Sequence, residues 1–237
     1  MTLLPTAGAA PAAPDADTAQ LYDMRRAVHY TKPSLRGWQH LIWFEFSLLA
    51  GTFVLSRTHG ATRITALAIY TATVSGLFGI SALYHRGTWS PGASRLLQRL
   101  DHVMIFFLIA GTATPGFLLA MPGALGRVLL AAMWAITLTS AAVHLCWMTA
   151  PEKLVGAVFL LLGWAAGASL PAVWTHFGAA PTILLAAGGL LYTLGALSYH
   201  RRSPDPRPAV FGYHEVFHAY VCAAATLQYV AIAVFIS

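Results

Sequence analysis

The chain has 237 residues, of which 57% are hydrophobic and 9% charged, against roughly 25% charged in a soluble globular protein. With a mean hydropathy of +0.64, it has too little polar surface to cover a water-soluble ball, which excludes an ordinary cytosolic enzyme. The formal net charge of +6 would suit nucleic acid if the basic residues formed a stripe, but they lie scattered between uncharged runs, so no nucleic-acid partner is expected.

Residues 1–18 are rich in Ala, Pro and Thr and have neither a basic n-region nor an unbroken apolar run. They are expected to form a disordered tail rather than a signal peptide. Residues 19–36 mix polar and apolar side chains and are expected to form a cytoplasmic juxtamembrane segment, with a weak amphipathic-helix pattern. Beyond this point, stretches without Asp, Glu, Lys or Arg cover 64–85, 102–126, 128–151, 154–200 and 216–237. A bilayer-spanning helix needs about 20 apolar residues, so four of these hold one span each. The 47-residue stretch 154–200 holds two, with His176, Gly178 and Pro181 marking the turn between them. One further span fits at 37–56, interrupted by His40 and Glu45. The expected architecture is an all-α, seven-transmembrane helix bundle over 37–237, with helices at 37–56, 62–85, 100–121, 125–148, 153–171, 181–200 and 213–236.

Cytoplasmic loops carry the excess of Lys and Arg. With the N-terminus inside, the internal segments hold Arg25, Arg26, Lys32, Arg36, Arg86, Arg95, Arg99, Lys153, Arg201, Arg202 and Arg207, and the external ones Arg57, Arg63 and Arg127, a bias of 11 to 3. The N-terminus is therefore expected in the cytoplasm and the C-terminus outside. Cys146 and Cys222 sit singly in apolar segments, which excludes a disulfide framework or a cysteine zinc site and reads as two small buried hydrophobes.

A charged side chain at the centre of a span costs about 2.5 to 3.5 kcal/mol, so polar groups there point to function. The candidates are His40, Glu45, His85, Asp101, His102, His144, His214, Glu215 and His218. Helix two ends inside at His85, with Ser81 one turn earlier on the same face. Helix three is expected to start at Asp101, and helix seven opens with His214 and His218 at i and i+4. Three helices distant in sequence thus place Ser81, His85, Asp101, His214 and His218 at one depth near the cytoplasmic boundary. Three imidazoles beside a carboxylate suit a tetrahedral zinc site with one open position. A lone histidine at such a depth is more often a snorkelling interfacial side chain; the constellation reverses that balance. His200, at matching depth on helix six, is the rival third ligand. His102 points about 100° away from Asp101, His144 is expected to hydrogen-bond a neighbouring helix, and Glu215 to be solvated or paired with an arginine. Glu45 is expected to be protonated or paired across helices.

Ser81-Ala82-Leu83-Tyr84-His85, Leu100-Asp101-His102 with Ile109 to Pro115 after it, and His214-Glu215-Val216-Phe217-His218 resemble the three signature stretches of the hemolysin III family. That family is the bacterial branch of the progestin and adipoQ receptor (PAQR) superfamily and is similar to alkaline ceramidases. Lys32 to His40 resembles the family's approach to its first helix, so the resemblance spans roughly residues 30–237. It implies seven helices with a cytoplasmic N-terminus, a zinc ion (Zn2+) on His85, His214 and His218, Asp101 holding the zinc-bound water, and Ser81 lining the site. His200 matches no ligand of the family. The function this implies is a multi-pass protein of the inner (plasma) membrane, acting as a zinc-dependent hydrolase on a lipid amide or ester, with a ceramide-like or fatty-acyl lipid as partner and a part in membrane homeostasis. Two other readings stand beside it: a non-enzymatic sensor of membrane state with a structural zinc, and a cytolysin. The last is disfavoured because seven strongly apolar helices must be inserted by the host's own machinery.

Overall fold

The computed structural model describes residues 20–23, 28–147 and 150–236; the tail expected at 1–18 lies outside them. Ahead of the first helix, β1 (Gln20–Asp23) pairs antiparallel with β2 (Val28–Thr31), Gln20 opposite Thr31 and Asp23 opposite Val28. This corrects the amphipathic-helix expectation for the segment. Val28, Tyr30 and Thr31 are β-branched or aromatic and favour a pleated strand over a helix.

From Trp38 onward the regular structure is helical: α1 (Trp38–Arg57), α2 (Ala61–Arg86), α3 (Pro91–Pro115), α4 (Ala124–Cys146), α5 (Glu152–Ala166), α6 (Leu170–Phe177), α7 (Ala179–Arg201) and α8 (Tyr213–Val230). A 3-10 turn, Gly167–Ser169, joins α5 to α6 in one rod, and wider π turns extend α3 over Gly116–Ala120 and α8 over Ala231–Ile236. Helices are the form a chain of this composition takes in lipid, because each satisfies its backbone N–H and C=O groups internally. Among the described residues, six segments are long and apolar enough to cross a bilayer: Ala61–Arg86, Pro91–Ala120, Ala124–Cys146, Lys153–Phe177, Ala179–Arg201 and Tyr213–Phe235. The 20-residue α1 is long enough, but Gln39, His40 and Glu45 dilute its apolar character.

Two helix limits differ from the sequence expectation. α3 begins at Pro91 rather than near 100, because the Ser90 hydroxyl accepts a hydrogen bond from Ala93 N at 3.4 Å and Pro91 occupies a first-turn position where no N–H is needed. Asp101 is therefore about three turns into α3, not at its start. The fifth rod continues past Pro171 to Phe177, since Pro171 falls in the first turn of α6 and breaks no bond there. Gly178 alone separates α6 from α7.

α2 and α3 form the centre and are the most buried spans, while the α5–α6 rod and α7 are largely lipid-facing. One core cluster joins α1, α2 and α8 through Trp43, Tyr70, Phe78, Val221 and Tyr229. A second joins α3 to α4 and α5 through Phe106, Phe117, Met133 and Leu162. α2 and α3 touch where Gly111 faces Thr73: a Cβ at 111 would lie 1.9 Å from Thr73 Oγ1. Only a residue without a side chain permits that approach, as at small-residue contacts between membrane helices. Outward-facing Ile42, Leu49, Phe53, Leu161 and Val234 remain exposed, as expected of a surface solvated by acyl chains. Cys146 is exposed rather than buried, being the last residue of α4, and Cys222 is half-buried; both are free thiols.

Candidate metal centre

His85 is the penultimate residue of α2, and His214 and His218 lie in the first two turns of α8, so the site forms where one helix ends and another begins. One ring nitrogen from each of the three comes within 4.8 Å of the others. Their ring centroids are 4.6 to 5.0 Å apart and their planes cross at 64° to 74°. Inclined rings allow in-plane lone pairs to meet at a common point, which flat stacking would prevent. His85 Nε2, His214 Nε2 and His218 Nδ1 are buried and have no hydrogen-bond partner among the described residues. Buried polar atoms are normally satisfied, and three orphaned imidazole nitrogens fit a bound cation. The three histidines could hold a metal ion.

Asp101 approaches from α3, with Oδ2 at 3.6 Å from His85 Nε2 and a side chain 17% exposed. Ser81, one turn before His85 and 2% exposed, lies beside the Asp101 carboxylate. The five residues singled out by depth thus converge.

The other candidates do not join them. His200 is exposed and lies outside the group of three. His102 faces away, its Nδ1 2.8 Å from Gln98 O and its ring stacked on buried His144 of α4 at 5.4 Å. Glu45 is exposed with no ion pair among the described residues, which corrects the expected pairing across helices. The buried stripe of α1 is His40, Trp43, Ser47 and Gly51, and position 45 lies about 200° round the helix from Trp43.

Three features of the site come from the approach to α1 and its first turn. Arg36 Nε donates to Glu215 Oε1 in a buried ion pair, and Glu215 Oε2 accepts from Gly212 N at 2.8 Å. Glu215, fully buried between the two α8 histidines in sequence, therefore anchors the first turn of α8, and the arginine-paired alternative holds for it. Gly37, at φ 79°, seats its backbone on His85: a Cβ there would fall 2.8 Å from His85 Cβ. His40, 3% exposed, stacks on His218 with centroids 3.7 Å apart and planes 10° from parallel. The sequence signalled His40 as a costly polar residue in a span, and Arg36, Gly37 and His40 as part of the stretch that resembles the family's approach to its first helix; it gave none of them a place at the site.

The same approach segment is tied to the loop before α8, with Ser34 N donating to Ala209 O at 3.1 Å and Leu35 N to Val210 O at 3.2 Å. At the rim, Lys32 Nζ lies 3.4 Å from Gly87 O, and Arg86 covers the Trp38 ring at 4.0 Å. Partial burial, then the nearby Arg86 and Arg36, holds the Lys32 ammonium below the usual lysine range.

Residues 28–229 match the family described as "Haemolysin-III related". Hemolysin-3 of Bacillus cereus is 30% identical over 142 residues, 60% of this chain and 64% of that protein, so the match spans somewhat less than two thirds of its length. The Hemolysin-3 homolog of Bacillus subtilis (strain 168) is 26% identical over 71% of this chain and 76% of its own. Similarity extends to the heptahelical transmembrane protein ADIPOR2 of Oryza sativa subsp. japonica, 28% identical over 76% of this chain and 85% of that one. A matched segment covering most of the chain, together with six apolar spans, makes this a multi-pass membrane protein belonging to the haemolysin-III-related family of the PAQR group.

Proposed function

We propose that the protein is a zinc-dependent hydrolase of a membrane lipid amide or ester, embedded in the plasma (inner) membrane with its site at the cytoplasmic leaflet. The observation that supports this best is the convergence of three inclined imidazoles, each with a buried nitrogen that makes no hydrogen bond among the described residues, and a carboxylate 3.6 Å from one of them. His85, His214 and His218 would be the ligands, and imidazole nitrogen suits zinc. Zinc held there would polarise a carbonyl and acidify water. Asp101 accepts the proton of the attacking water, and Ser81 donates a hydrogen bond to the carbonyl oxygen as negative charge develops on it. Burial of the histidines keeps bulk water from competing for those hydrogen bonds. The 11 to 3 distribution of basic residues supports a cytoplasmic N-terminus and hence a cytoplasmic-leaflet site, where the lipid partner is ceramide-like or fatty-acyl.

A sensor of membrane state with a structural metal is the second reading, favoured by the way the histidines and Asp101 tie α2, α3 and α8 together. Metal analysis of gently purified protein, followed by incubation with a panel of ceramides and phospholipids, tests both, with His214→Ala as control. About one zinc per chain with turnover of one lipid class is expected; zinc without turnover favours the sensor, and no transition metal refutes the site.

A further inference from the structure

His40 is the fourth imidazole at the site. Resting on the metal-site reading above, we infer that it is a ligand-contacting residue: it hydrogen-bonds an oxygen-bearing group, water or a carbonyl or hydroxamate oxygen, bound beside the three histidines.

The stacking geometry keeps it from being a fourth metal ligand. A ligated metal lies in the plane of the imidazole, about 2.0 to 2.1 Å from its nitrogen. The His40 and His218 planes are 10° from parallel with centroids 3.7 Å apart. An ion in the plane of His218 therefore falls out of the plane of His40 by most of that separation. The inclined rings of His85, His214 and His218 meet no such conflict.

Nor does packing account for a histidine here. Phe78 meets the His40 ring edge-on at 4.9 Å and 87° while His218 covers its face. A phenyl ring would make both contacts without burying a polar atom. Instead Nδ1 and Nε2 are both buried and have no partner among the described residues. At least one of them carries a proton in any tautomer, and leaving a buried donor and acceptor unmade is costly. A partner that is not protein removes that cost, and the metal site is where such a partner binds.

The test uses the full chain in detergent micelles loaded with cobalt(II), whose visible absorption reports both metal uptake and acetohydroxamate binding. His40→Phe keeps the stack and removes both nitrogens. It is expected to retain cobalt within about threefold of wild type while acetohydroxamate binding weakens about tenfold, the scale of one hydrogen bond. His40→Gln, which restores a donor and an acceptor, is expected to fall between the two and carries the test alone if His40→Phe does not fold. Unchanged acetohydroxamate affinity in either foldable variant overturns the inference. Loss of cobalt from His40→Phe also overturns it, by making His40 a brace or ligand of the metal. Wild-type protein that takes up neither zinc nor cobalt refutes the metal-site reading itself, and this inference with it.

Discussion

Replacing Arg36 by Met is expected to be among the most destabilising single changes in the molecule, through what it does to Glu215. The Glu215 side chain is fully buried and has two partners, the Arg36 guanidinium and Gly212 N. Removing the cation leaves a buried carboxylate held by one neutral hydrogen bond. Breaking a buried pair in this way typically costs about 3 to 5 kcal/mol. At about 2 to 4 °C per kcal/mol for a chain of this size, the midpoint of unfolding in detergent should fall by roughly 10 °C. Arg36→Met/Glu215→Leu removes both charges and should recover most of that loss, because a well-packed apolar pair of similar volume often matches a buried ion pair. Thermal unfolding of wild type, both single variants and the double variant closes a double-mutant cycle. Metal affinity should follow the same order, since Glu215 sets the first turn of α8 that carries His214 and His218. A double variant no more stable than Arg36→Met, or an Arg36→Met protein melting with wild type, would refute the assignment of this pair as the anchor of α8.

Asp101→Asn keeps side-chain size and should leave zinc bound while lipid turnover falls by about 10² to 10⁴, the usual worth of a general base; loss of zinc with a lowered melting temperature would make Asp101 a ligand of a structural site instead. Gly111→Ala forces its Cβ onto Thr73 and should destabilise by about 1 to 3 kcal/mol, read as a lower melting temperature in detergent, with partial recovery in Gly111→Ala/Thr73→Gly. A reporter fused after Ser237 should read as external and one inserted at Pro204 as cytoplasmic, from the bias of basic residues; the reverse pattern would move the histidine site to the outer leaflet.

Much of this protein is legible in its sequence, and for a physical reason. Lipid demands long uncharged runs and closed backbone hydrogen bonding, so the membrane-crossing helices announce themselves by composition alone. Spans whose direction is inferred from the basic residues have an inferred depth, which is why Ser81, His85, Asp101, His214 and His218, drawn from three helices, could be expected together. Depth is one coordinate, however, and rotation and contact need the others. Depth alone kept His200 level with His85; packing left it exposed while His85 faces the α8 histidines. The same holds for Glu45, which helix phase turns away from the buried stripe of α1, and for the start of α3, which a local cap at Ser90 sets rather than hydropathy.

Composition thus carries the helical class of 38–236 and the expected level of these side chains, because burial in lipid leaves its mark on every residue of a span. Which of them touch is a matter of packing. The Arg36–Glu215 pair joins residues 179 positions apart, Gly37 meets His85, and His40 lies flat on His218. Each contact depends on how α1 rotates and seats against α2 and α8, and that is settled by side chains interlocking between helices, for which a single helix's sequence carries no periodic signal.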